Sequence, residues 1–127
     1  MSPSMHRRVR DWFVESGLTD GFKTQMLQWR DSGKLTDSFI VFRPSGGTAI
    51  QRDLGSEYFV LVDVIGAKNE DEAADNAVQR IISYVQNNPM PNDCIGHIQN
   101  LGNIPSPVTT TEGRLVYRLQ FVITYGE

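Results

Sequence analysis

The run from Glu57 to Ala67 sets the tightest limit on what this chain can fold into. It holds Tyr58, Phe59, Val60, Leu61, Val62, Val64 and Ile65, and only Asp63 interrupts its apolar character. Aromatic and β-branched residues in such a run predict a strand. In a strand, alternate side chains face opposite ways, so this one is apolar on both faces. It belongs in the middle of a sheet, with neighbours on either edge. Gly55-Ser56 supplies the turn that leads into it.

The residues that follow predict a helix. Asn69 suits an N-cap and Glu72, three residues on, completes a capping box. Glu70, Asp71, Glu72 and Asp75 set negative charge against the positive end of the helix dipole. Ala74, Ala77, Val78, Ile81, Ile82 and Val85 then recur at helical spacing as one apolar stripe, and Asn87-Asn88-Pro89 ends it. Small residues near its start let that end approach a sheet closely.

A first helix is expected from Ser2 and Pro3, read as N-cap and first helical residue. Met5, Val9, Trp12 and Phe13 form its stripe, and Gly17 its stop. Lys23 to Arg30, with Met26, Leu27 and Trp29, reads as a strand, although a short helix also fits. Asp37 to Arg43 reads as a strand ended by Pro44 and Gly46-Gly47, and Thr48 to Asp53 as a loop or short strand. Pro89 to Pro107 is irregular, with a candidate strand at Ile95 to Leu101.

The last strand is Arg114 to Tyr125. Leu115, Tyr117, Leu119, Phe121, Ile123 and Tyr125 share one face, and Arg114, Arg118, Gln120 and Thr124 the other. The order of elements predicts an α+β fold. Its sheet is mainly antiparallel or mixed, with two amphipathic helices on one face, in a single domain over residues 1–127.

A chain of 127 residues can bury about two-thirds of its unfolded surface, enough for a core without staples. Twelve Lys and Arg against 15 Asp and Glu give a formal charge of −3, which argues against general nucleic-acid binding. Cys94 is the only cysteine, so a reducing compartment fits. No apolar run reaches the roughly 20 residues that span a bilayer. Arg7, Arg8 and Arg10 near the start are not followed by the apolar stretch of a signal peptide, so cytoplasmic synthesis is expected.

Candidate chemistry fails residue by residue. Cys94 and His97 are three apart but have no acid nearby to orient the imidazole, and two ligands are too few for zinc. Gly46-Gly47-Thr48 lacks the lysine and spacing of a phosphate loop. The acids from Glu70 to Asp75 lack calcium-loop spacing and suit a helix start. Catalytic residues, metal ligands and a cofactor are therefore not expected. A ligand-binding or enzymatic domain would need a pocket built from dispersed groups such as Asp63, His97 and Tyr117.

Asp63 stands out, because an acid inside an apolar strand needs a partner. It either pairs with an arginine on the next strand, Arg118 being the candidate, or meets another subunit. Arg43, Arg52 and Asp53 bracket a polar loop of the kind that carries contacts. Arg43, Arg52, Asp53 and Asp63 are thus the candidate interface residues.

The opening helix Met5 to Phe13, the central strand, the acid-capped helix and the closing Leu119-Gln120-Phe121-Val122-Ile123-Thr124-Tyr125 run together carry a resemblance. In that order they resemble the tail-terminator proteins of long-tailed bacteriophages, the family of the lambda-type minor tail protein. The resemblance implies a structural component of a phage or prophage virion tail, made in the bacterial host cytoplasm. It implies a hexameric ring that caps the tail tube, the free chain being either that ring or a monomer. Its partners would be its own copies, the tail-tube protein and a head-completion or connector protein, with no membrane or nucleic-acid recognition. Another head–tail connector, tail-completion or tube-like role is the alternative.

Overall fold

The computed structural model of the chain describes residues 4–47 and 56–126. Helix α1 spans Met5–Glu15 and buries Met5, Val9, Trp12 and Phe13, the expected stripe. Its N-cap is Ser4, in extended conformation and without a side-chain bond, while Ser2 and Pro3 lie outside the described residues. The helix ends as Gly17 predicts. Gly17 takes φ +75°, its N–H donates to the Val14 carbonyl at 3.2 Å, and Leu18 N–H to Phe13 at 3.0 Å. That pair of bonds satisfies two carbonyls the helix end would otherwise leave open.

The sheet order is β1-β2-β3-β6-β4, with β5 also paired to β6. These strands are β1 (Lys23–Met26), β2 (Phe39–Gly47), β3 (Ser56–Ile65), β4 (His97–Leu101), β5 (Val108–Thr109) and β6 (Leu115–Tyr125). Only β1–β2 is parallel, so the sheet is mixed and mostly antiparallel, as expected. The apolar run is central: β3 pairs with β2 on one edge and with β6 along its whole length on the other.

Strand β1 is half the length the sequence suggests. Leu27 turns to φ +73°, and the Gln25 side chain then exchanges two 2.8 Å hydrogen bonds with the Arg30 backbone. The side-chain amide acts as a substitute strand partner and folds Trp29 back onto Phe39, with ring centroids 5.9 Å apart.

Helix α2 (Asp71–Asn87) buries all six residues of its predicted stripe. Its capping box does not form. Asn69 sits at φ +64°, Glu70 takes the N-cap position, and no side chain caps the helix. Asn tolerates this left-handed conformation, and the tight turn from Gly66 uses it. Close approach of helix and sheet is real here: a Cβ on Gly66 would lie 2.9 Å from the Ala74 Cβ.

Both helices lie on one face of the sheet. Phe13 sits at their centre, edge-on to Phe42 at 5.5 Å and to Phe121 at 6.0 Å. Burying such a ring contributes about 2–3 kcal/mol.

The segment from Pro89 to Pro107 contains one of the expected strands, and β5 follows it unannounced. A two-residue strand just after Pro107 is too short to show a period. Gly96, which opens β4, has φ +80°, and a Cβ there would lie 2.6 Å from the Thr124 carbonyl. Gly96→Ala should therefore destabilise by about 2–4 kcal/mol, through left-handed strain plus backbone collision. Urea titration checks this: the midpoint should fall with an unchanged slope, and an unmoved midpoint would refute the collision.

The largest correction concerns Arg114. Alternation in β6 assigns it to the polar face, yet it is 0% exposed. Its guanidinium donates to the carbonyls of Asp37 at 2.7 Å, Lys34 at 2.8 Å and Gly66 at 3.4 Å. It lies 3.5 Å from an Asp31 oxygen and 5.7 Å from the rings of Trp29 and Phe39. The residues from Trp29 to Asp37 are thereby clamped over one corner of the helix-free face.

Candidate functional site: the helix-free face of the sheet

Strand register decides which residues meet on the face the helices leave uncovered. Antiparallel partners share a face, so Val41, Asp63 and Arg118 fall in one row across β2, β3 and β6. Arg43, Leu61, Gln120 and Leu101 form the next row, and Phe59 and Val122 the one after. Val41 and Asp63 are buried, whereas Leu61, Phe59 and Gln120 are half-buried.

Asp63 is the centre of this surface. Arg118 donates to both carboxylate oxygens, Nε to Oδ1 at 2.9 Å and a terminal nitrogen to Oδ2 at 3.1 Å. Arg43 approaches from the other side, its Nε 3.0 Å from Oδ2, an ion pair without hydrogen-bond alignment. The cross-strand pairing to Arg118 is the one the sequence suggested, and the bidentate fork is the strong geometry for such a pair. Its hydrogen bonds to Asp63 push the Arg118 pKa above the usual arginine range.

The two arginines differ in access. The Asp63 side chain is 3% exposed, that of Arg43 27% and that of Arg118 58%. Two cations thus serve one anion, and the surplus positive charge faces outward on the Arg118 side. Of the four candidate interface residues, the structure brings Arg43 and Asp63 together. Arg52 and Asp53 lie outside the described residues.

The pocket that dispersed chemistry would require does not form. Tyr117 lies on the helix face, where its hydroxyl donates to Asp75 at 3.2 Å, while Asp63 lies on the opposite face. Burial and the Asp75 carboxylate push the Tyr117 phenol up. His97 opens β4 opposite Thr124, seven residues along β6 from Tyr117. Cys94 is an exposed thiol whose backbone carbonyl accepts a bond from Arg8 at 2.9 Å. Among the described residues, no three His, Cys, Asp or Glu side chains gather as metal ligands would. A cleft of about 420 Å³ runs between the start of α2 and the turn before β1, past Asp20, Phe22, Gly66 and Arg80. Its described lining holds no histidine, cysteine or lysine, and the Ser38 hydroxyl there donates to the Gly21 carbonyl at 3.0 Å.

The comparisons with known proteins fit a structural role. A family described as phage tail termination protein matches residues 2–127. The chain belongs to that family. Membership gives it a part in phage tail completion, as a structural component of the virion tail that interacts with other tail or head proteins. No curated protein matches the sequence. Eleven solved chains match by structure. One of them shares 10% identity and superposes with a TM-score of 0.55, covering 98% of this chain and 99% of its own. Likeness at that identity speaks for the fold alone. Among the described residues of this family member, no helix is long and apolar enough to cross a membrane.

Sequence reasoning missed Arg114 and β5. Arg118 was legible from Asp63, because a lone acid in an apolar strand demands a cation opposite it. Arg114 gave no such signal, since its partners are mostly backbone carbonyls, which every residue carries.

Proposed function

We propose that this chain caps the phage tail tube as a hexameric ring, ending tube polymerisation and giving the head a surface to dock on. The observation that carries this reading is the family match over nearly the whole chain. The helix-free face supports it, because a sheet face bearing half-buried apolar groups around an ion cluster suits contact with another protein. Its partners are its own copies, the tail-tube protein and a head-completion or connector protein. Arg43, Arg52, Asp53 and Asp63 serve at these interfaces, and the role needs no catalysis. The protein is made in the host cytoplasm and ends in the virion tail.

Electron microscopy of the tube protein polymerised with and without the chain tests the proposal. Shorter tubes with a cap at one end are expected. Tubes of unchanged length with bare ends would overturn it. Long filaments formed by the chain alone would point to a tube-like subunit instead.

A further inference from the structure

We propose that the helix-free face of one subunit receives the acidic first turn of α2 from a second copy of this chain. The proposal rests on the ring reading above and names the contact that would build the ring. The face carries two guanidiniums against one carboxylate, and Arg118, with its side chain 58% exposed, presents the surplus charge. Half-buried Phe59 and Leu61, with buried Val122 beside them, supply an apolar border. Other ionised groups on this face stand apart. Lys23 is paired to Asp37, and Asp31 to Arg114. Glu57 is six residues along β3 from Asp63, about 20 Å at roughly 3.3 Å per residue.

The complementary charge lies on the other layer of the molecule. Glu70, Asp71 and Glu72 are exposed at the start of α2, and none belongs to an ion pair among the described residues. Symmetry then discriminates between ways of associating. A two-fold contact through the sheet face sets arginine against arginine, and one through the α2 turn sets acid against acid. Like charges brought together at an interface are penalised. Arginine face against acidic turn satisfies both surfaces at once. Because the two patches lie on opposite layers, that contact is heterologous and repeats head to tail, closing into a ring when the rotation allows.

Charge reversal on each side tests this contact. Arg118→Glu alone, and Asp71→Lys with Glu72→Lys, should each weaken ring formation at least about tenfold at low salt. Sedimentation velocity reads the ring in solution, and microscopy of tube ends reads it if the free chain is monomeric. Circular dichroism confirms folding. The α2 variants do not touch Asp63, so they remain informative if Arg118→Glu unfolds. A chain carrying all three reversals should recover ring formation. Rings at wild-type strength from either one-sided variant, or no recovery in a folded combined variant, would overturn the contact while leaving the ring reading standing. Wild-type protein that forms no ring and caps no tube would instead sink the ring reading, and the contact with it.

Discussion

Replacing Arg114 with alanine should lower the stability of the protein by about 3–5 kcal/mol. The substitution strips hydrogen bonds from the carbonyls of Lys34, Asp37 and Gly66 and leaves the Asp31 carboxylate without its cation. It also opens space beneath Trp29 and Phe39, which the guanidinium plane fills. Carbonyls deprived of their donors, one buried and two partly so, carry most of the penalty. The Arg114 Nε finds no acceptor among the described residues, so the lower part of the range is favoured. Thermal and urea denaturation read the effect, with a melting temperature lower by about 10 °C or more. Arg114→Lys should recover only part of the loss, because one ammonium cannot reach carbonyls spread in a plane. A loss below about 1 kcal/mol for the alanine variant would mean that the segment from Trp29 to Asp37 does not depend on this clamp.

Asp63→Asn should cost about 2–3 kcal/mol. Asparagine keeps the shape but removes the anion that Arg43 and Arg118 share, leaving two guanidiniums facing each other across β3. A fully buried triad would lose more. Here the Arg118 side chain is 58% exposed and can turn to water, so solvent screening reduces the penalty. Arg118→Gln should accordingly cost less than Asp63→Asn, and the two changes combined should cost less than their sum. A double-mutant cycle by urea denaturation measures that coupling, expected at about 1–2 kcal/mol. Strict additivity would show that the fork seen between Arg118 and Asp63 contributes nothing to the folded state.

The two substitutions probe one corner and the middle of the same face, and they should differ in what they do to assembly. Arg114 is sealed beneath its own loop and offers nothing to a partner. The Arg118 side chain, which covers the buried Asp63 carboxylate, lies where a second subunit can reach it. Stability and assembly are therefore separable here by choice of residue.

Much of the architecture was legible without coordinates, for a physical reason. The α2 stripe and the apolar run of β3 repeat a local period over many residues, and period is what exposes a buried face. Gly17 ended α1 as expected because φ +75° is a local demand that glycine meets at no cost. The pairing of Asp63 with Arg118 could be inferred from charge alone, since a buried carboxylate is too costly without a cation.

Other features depended on parts of the chain distant in sequence. The capping box at Asn69 satisfied every local rule, yet the turn that brings Gly66 against Ala74 took Asn69 into the left-handed region and away from the cap. Strand β5 exists only because β6 offers it an edge. Arg114 followed the alternation of a solvent-facing residue, and the loop from Trp29 to Asp37, nearly 80 residues earlier, closed over it. Periodicity and charge thus determined the elements and their order. The tertiary structure decided which polar groups are buried, because burial of a polar group depends on partners that no local window contains.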